Sequence, residues 1–514
     1  MNDDQLPPVF VECGRFFYAL RINLKEKIVH VYAGLFGILP IYYYQSDQFI
    51  IISSDIPGIA GQKDVSLSTD PQFILEQTIF NYSFSNRTIY NEIKLSPSNS
   101  LLTLKDGSLQ IREYYSVNQL FQTSHKPWEK SIVPVRELFI DRVRNYFPDQ
   151  KYYLSFTSGF DGRTLVACSH YHKKNFGTYS FGSADNEDVV IPMADAGALG
   201  LEYIPVYLDD IYAKHDFLEY GKKMVMESAA NTSFLFVHFP YSADKTSQKS
   251  KYLINGIFGS EIFRALHIGG QVTSKELVTI FANKDKDKVI NDIKNSPKLE
   301  SLNLNELDKY WDNLFEEIFS FMEKISALSQ NHRFYYYIYT EVFRKIFGPN
   351  LISQMPYAII RSPFLDLVFI EEIMKTGLAG ANNTFFTHNP LKRFKGQTVY
   401  GTIIQNTFPE LAERKTGKGY SPQSILSFYG LVKLVPVFVQ NRIKQRYQPS
   451  DINNLAIPLG FNSNRDFFTT IKINDLYNKK TIDLLTNSDQ WTKQRDILLI
   501  TLSTNYFLDQ QTVT

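Results

Sequence analysis

"LSFTSGFDGRTLVACSHYH", residues 154–172, leaves a hydrophobic run through Thr157, Ser158 and Gly159, sets Asp161 at the turn and passes straight into an apolar-periodic stretch. A turn of small residues at the carboxyl end of a strand exposes backbone N–H groups. A helix beginning near Asp161 adds the positive end of its dipole, and the two together favour an anion such as phosphate or pyrophosphate. A carboxylate in such a nest repels phosphate unless a cation lies between them, so Asp161 on this interpretation implies Mg²⁺. The alternative is a plain strand-to-helix turn in which Asp161 is the N-cap.

The flanking sequence supplies the context. "EKSIVPVRELFIDRVRNYF" (129–147) has helical spacing at Val135, Leu138, Phe139, Val143 and Phe147. "KYYLSF" (151–156), "FGTYSFG" (176–182) and "EYIPVYLDD" (202–210) read as strands. "NEDVVIPMADAGALG" (186–200) reads as a helix that Pro192 delays or kinks, with Asp185, Glu187 and Asp188 charging its N-terminus. Strands alternating with helices predict a parallel doubly wound sheet, in which ligands bind at the carboxyl ends of the strands. Before residue 125 the chain reads as short strands and turns: "FYALRINL", "KIVHVYAG", "ILPIYYYQ", "QFIIISSD" and a hairpin turning at Asp106-Gly107. Beyond residue 270 it reads as largely helical, with "ANKDKDKVINDIKNSPK" (282–298) a solvated helix or loop.

Composition narrows the classes. With 514 residues the chain is long enough for two or three domains, and a hydrophobic fraction of 44% supports sizeable cores. A net charge of +1 argues against nucleic-acid binding through a global basic field. Cys13 and Cys168 are the two cysteines, and neither belongs to a metal-ligand or disulfide pattern. Both read as ordinary buried cysteines, and their scarcity fits a cytoplasmic setting. The most apolar stretch, "SFYGLVKLVPVFVQ" (427–440), contains Lys433 and Pro436 and reads as a kinked core helix, so no integral membrane segment is expected. The histidines show no metal spacing, and "RFYYYIY" (333–339) reads as core.

Three more stretches belong with the first: "YLINGIFGSEIF" (252–263), "IIRSPFLDLVFIEEI" (359–373) and the basic glycine loop "LAERKTGKGYSP" (411–422). In these four the chain resembles the synthetase domain of the asparagine synthetase family, over roughly residues 126–425. The family's SGGxDS loop falls on Thr157, Ser158, Gly159, Phe160, Asp161 and Gly162; its SGxGxDE turn falls on Asn255 to Glu261; its E-x-R-x-PFLD segment falls on Arg361, Pro363, Phe364, Leu365 and Asp366; and its R-x-K loop falls near Arg414 to Gly419.

The resemblance implies a fold of the ATP-pyrophosphatase type with a helical C-terminal part (126–514), behind a smaller, mostly β, degenerate glutaminase-like domain (1–125). It also implies ATP chemistry: a carboxylate is adenylated, pyrophosphate leaves, and an amine displaces AMP to form an amide. The residues it implies for ATP and pyrophosphate are Phe156, Thr157, Ser158, Gly159, Asp161, Gly162, Ser180, Phe181, Asn255 and Gly256, with Tyr179 to Phe181 flanking adenine. Asp161 and Glu261 are implied for Mg²⁺. Lys418 or Lys415, with Glu261 and Arg361, is implied for catalysis, and Lys418 is favoured because it directly precedes Gly419-Tyr420.

This chain departs from the family at several positions: Ser260 replaces an aspartate, Ile257 stands where the family has its first acid, and Gly162 replaces a serine. "AGLFGILPIYYYQSDQFIIISSDIPGIA" (33–60) resembles the family's R-x-G-x-x-PLYY stretch and the strand after it, and "TIYNEIKLSPSNSLLTL" (88–104) resembles a hairpin of the same glutaminase domain, which looks shortened at its start. That domain needs a cysteine directly after the initiator Met, and position 2 is Asn, so glutamine hydrolysis is expected to be absent.

The chain therefore looks like the glutaminase-deficient members, such as lasso-peptide cyclases and β-lactam synthetases. A peptide macrolactam cyclase, with a precursor peptide as its carboxylate and amine substrate and a leader-binding protein and protease as partners, is the preferred expectation. An amidotransferase acting on a sugar acid or small metabolite, or a non-catalytic ATP-fold binding protein, is the alternative.

Overall fold

The computed structural model describes residues 16–121, 125–263, 272–383, 386, 390–434, 436, 456–488, 491–492 and 494–511. Cys13, His267 and part of the 427–440 stretch lie outside them. The expected helix in that stretch is described only over Phe428–Lys433.

The N-terminal region folds as two antiparallel sheets. One has the order β1 (Tyr18–Asn23), β2 (Ile28–Ala33), β6 (Ser100–Lys105), β7 (Ser108–Glu113), and the other β4 (Ile50–Ser53), β3 (Tyr42–Gln45), β5 (Ile93–Leu95). The β6–β7 hairpin turns at Asp106 and Gly107, whose φ values of 49° and 75° are those the sequence pair is suited to adopt. The sheets meet through Ala33, Ile41 and Leu102, with Val31, Tyr43, Ile52 and Ile111 around them. Two elements here depart from the sequence reading, the short helix Ile56–Ala60 and a longer one. Pro71–Phe80 is a helix whose residues are all buried except Pro71. A helix enclosed on every side has no polar face, so its sequence carries no 3.6-residue alternation.

The second region carries five parallel strands in the order β10 (Tyr203–Tyr207), β9 (Phe176–Gly182), β8 (Tyr152–Ser155), β11 (Tyr252–Ile254), β12 (Ile359–Arg361). Tyr152, Tyr153 and Leu154 are all buried, as a strand covered on both faces requires. From β8 the chain winds outward through β9 and β10, then returns to the other side of β8 for β11 and β12. The winding therefore reverses between β8 and β11, and such a reversal opens a crevice at the strands' carboxyl ends.

Helices Trp128–Val143, Phe160–Tyr171 and Glu187–Leu199 flank this sheet. Pro192 does not delay the last of them, because Asn186 caps its first turn by accepting the Asp188 N–H at 2.8 Å. The rest is helical, and one continuous core extends from Phe36 to Phe507. The last helix, Arg495–Gln511, ties the regions together: Ser503 Oγ accepts the Phe234 N–H at 3.0 Å and Thr504 donates to Gln77 at 2.8 Å. Tyr335, Tyr337 and Tyr339 are fully buried, so this tyrosine run is core. Among the described residues no helix is long and apolar enough to cross a membrane.

Candidate functional site

Strand β8 ends at Ser155, and the helix that follows starts at Phe160 with Gly159, in an extended conformation, as its N-cap. Asp161 is therefore a first-turn residue and not the cap. The helix sits so close to the strand that a Cβ on Gly162 would stand 2.3 Å from the Ser155 carbonyl oxygen. This accounts for the glycine at this position.

One N–H of the turn is already directed at an anion, while the Gly159 N–H donates to the Thr157 hydroxyl at 3.3 Å. Ser158 donates its backbone N–H at 2.9 Å and its hydroxyl at 2.5 Å to the same oxygen, Oδ1 of Asp188. Asp188 belongs to the first turn of the helix after β9.

Across the crevice, β11 enters its own turn. The Asn255 N–H donates to the Arg361 carbonyl at 3.1 Å, and the Asn255 Oδ1 is buried without a hydrogen-bond partner. A Cβ on Gly256 would stand 2.7 Å from Cβ of Asp161, and one on Gly259 would stand 2.6 Å from Asp161 Oδ1. The two turns are in van der Waals contact only because both positions lack side chains. Phe258 between them adopts φ 74°, a conformation costly for an aromatic residue and held by packing on Phe343 and Phe347. The Asp161 carboxylate accepts from the Ser260 hydroxyl at 3.1 Å on Oδ2 and from the Tyr400 hydroxyl on Oδ1.

A third segment closes over the nest. Arg414 donates from Nε to Asp195 Oδ1 at 2.6 Å, the Gly417 N–H donates to the Ser158 carbonyl at 3.2 Å, and Thr416 bonds back to the Tyr420 carbonyl through both its N–H and its hydroxyl. Gly419 takes φ 82°, which the tight return at this point requires. The Lys418 ammonium lies 5.8 Å from the ring centroid of Phe160, at the start of the nest helix, whereas the Lys415 side chain is exposed. The geometry places the two lysines differently, one beside the nest helix and one in solvent.

Other expected residues sit differently. Arg361 donates to the Tyr146 carbonyl at 2.9 Å and lies over the Tyr252 ring, and Asp366 is held by Arg142 and Tyr146 while it caps the helix Leu367–Met374. Glu261 is buried in the short helix Gly259–Phe263, beside Tyr339. Ser180 is buried with its hydroxyl against that of Tyr203, Tyr179 is buried, and half-buried Phe181 packs on His238 and Phe239. Among the described residues no three carboxylate, imidazole or thiol groups gather to hold a metal ion.

Of the histidines, His172 bonds the Ile140 carbonyl and the exposed His170 stacks on Phe408. Cys168 is a buried free thiol, and burial pushes its pKa well above the usual thiol range.

Four residues at the site were not found by sequence reasoning: Tyr400, Arg163, Asp195 and Asp188 in its present role. Asp188 had a usable signal, since it opens the helix after the strand neighbouring β8. The other three depend on which helix faces meet, and their own sequence neighbourhoods do not encode that. No protein-family model matches this chain, and no curated protein matches it.

Proposed function

We propose that the protein is an ATP-dependent, AMP-forming amide synthetase that takes its amine directly, without hydrolysing glutamine. One observation carries this reading: the Ser158 turn, whose N–H and hydroxyl hold a carboxylate, faces the Asn255–Gly256 turn at the winding reversal of a parallel sheet. Pyrophosphate would take the place that the Asp188 carboxylate now fills, on backbone N–H groups and a helix N-terminus. The buried, unpartnered Asn255 Oδ1 offers a hydrogen-bond acceptor for a nucleotide in the crevice.

The residues present fit one Mg²⁺ carried by the nucleotide. Mg²⁺ in such sites is held by one or two carboxylates together with substrate phosphates, and Asp161, whose carboxylate accepts from the Ser260 and Tyr400 hydroxyls among the described residues, is the residue that would hold it. The ion would supply charge neutralisation between Asp161 and phosphate. Lys418 stands near the nest helix and would steady negative charge that builds at the reacting carboxylate.

Among synthetases the reading we favour is a peptide macrolactam cyclase, in which carboxylate and amine belong to one precursor peptide. Amidation of a sugar acid or small metabolite is the second reading. ATP–pyrophosphate exchange with candidate carboxylates tests the proposal. Exchange that depends on one carboxylate class supports it, and nucleotide binding without exchange toward any carboxylate contradicts the catalytic reading in favour of a binding protein.

A further inference from the structure

Behind the loop that closes the nest lies a charge cluster that the proposed chemistry does not use. Arg163, on the nest helix Phe160–Tyr171, is fully buried, an uncommon place for an arginine. Its Nη2 donates to Asp195 Oδ2 at 2.5 Å and to the Lys415 carbonyl at 3.2 Å. Its Nε and Nη1 are buried without hydrogen-bond partners, and the guanidinium lies 5.5 Å from the Phe156 ring centroid. Asp195, 4% exposed on the helix Glu187–Leu199, accepts Arg163 on one oxygen and Arg414 on the other. Three segments thus meet at one carboxylate: the nest helix, the helix carrying Asp188, and the first residue of the lysine loop.

A buried charge persists only where its partners are fixed, because removing one partner leaves the other uncompensated. Arg414, at the loop's outer edge, is the half-exposed member, with 36% of its side chain accessible. The fixed half is therefore Arg163–Asp195, and the exchangeable half is the loop. We infer that Asp195, clamped between Arg163 and Arg414, is a positioning residue that latches the Arg414–Pro422 loop onto the nest helix and so sets where Lys418 stands. The effect on turnover rests on the synthetase reading; the effect on the loop does not.

The loop carries its own reporters, since trypsin cleaves after Lys415 and Lys418. Full-length Asp195→Asn, Arg414→Met and Arg414→Lys are compared with the unmodified chain in limited proteolysis, with cleavage sites read by mass spectrometry. Cleavage of a transiently opened segment tracks the open population, so Asp195→Asn and Arg414→Met should be cut about tenfold faster after Lys415 and Lys418, with other sites unchanged. Arg414→Lys, which keeps a cation beside Asp195, should restore most of the protection.

In turnover assays the two disruptive variants should lower kcat while MgATP affinity stays within about twofold, the pattern of an interaction made in the transition state. Should Asp195→Asn fail to fold because Arg163 is stranded, Arg414→Met tests the same latch from the exposed side. Unchanged loop cleavage in Arg414→Met overturns the latch, and so does acceleration spread evenly over all tryptic sites. Loop-confined acceleration in a chain that binds no nucleotide supports the latch and contradicts the synthetase reading, so the two failures are distinct.

Discussion

Asp188 Oδ1 accepts both the backbone N–H and the hydroxyl of Ser158, at 2.9 and 2.5 Å, which places a carboxylate where the proposed function puts a phosphate. Carboxylate and phosphate oxygens recognise the same donors. The side chain is then a resident competitor for the nest, and ligand must displace it.

Asp188→Ala should therefore bind MgATP more tightly than the unmodified chain, by about three- to tenfold, since displacing a side-chain hydrogen bond typically costs about 1 kcal/mol. Calorimetry measures this directly. Weaker binding in Asp188→Ala would mean that the carboxylate assists the nucleotide.

The loop lysines should separate. Lys418→Ala is expected to lose about 10²–10³ in amide formation, the usual cost of deleting one charge-stabilising donor, with MgATP binding retained. Lys415→Ala, whose side chain is exposed, should keep near-normal turnover. Equal loss in both variants would remove the geometric distinction drawn from the Phe160 contact.

Two glycines give opposite expectations for stability. Gly162→Ala drives a Cβ to 2.3 Å from the Ser155 carbonyl and should lower unfolding free energy by about 2–3 kcal/mol. Gly197, in the helix Glu187–Leu199, has open space around its missing Cβ, so Gly197→Ala should raise it by about 0.5–1 kcal/mol. Urea titration of both variants checks the pair. A neutral Gly162→Ala would mean that the helix can retreat from β8.

Gly162 and Gly256 show how far the sequence alone reaches. The turn at 157–162, its strand and its helix are legible because small residues at a strand end and 3.6-residue spacing are local signals. A parallel sheet follows from alternation of strand and helix over 151–210, whereas β12, three residues long, does not read as a strand. That Gly162 is needed against Ser155, or Gly256 against Asp161, is a fact of approach between segments, invisible in either one. Helix Pro71–Phe80 escaped for a related reason: enclosed by core, it has no polar face to mark its period. Arg163 and Asp195 are 32 residues apart and meet only because two helices pack across β8 and β9. Glu261, implied for the metal by the resemblance, is buried one residue beyond Ser260, and its backbone carbonyl lies by the Tyr339 hydroxyl of the π-helical segment Ile338–Phe347, a contact between segments far apart in the sequence.

Stability should fall in mild acid because of His238. Burial alone pushes its imidazole pKa down to about 3, below the usual 6.5. The unfolded chain takes up the proton below about pH 6.5 while the folded protein refuses it until about pH 3. The stability tied to this residue is whole above pH 6.5 and is lost as pH falls through that window, at a slope approaching about 1.4 kcal/mol per pH unit. Thermal unfolding of His238→Phe between pH 7 and pH 4 should show a shallower acid limb than the unmodified chain. Parallel limbs would mean that His238 does not set the acid dependence.

The central claim, that the crevice between the Ser158 and Asn255 turns takes MgATP, is tested most directly by titrating MgATP into the full-length protein and into Asp161→Asn by calorimetry. The unmodified protein should bind, and Asp161→Asn should bind at least about tenfold more weakly, since it loses the charged group that would set a cation against the phosphates. No binding to the unmodified chain, or equal affinity in the two, would contradict the claim.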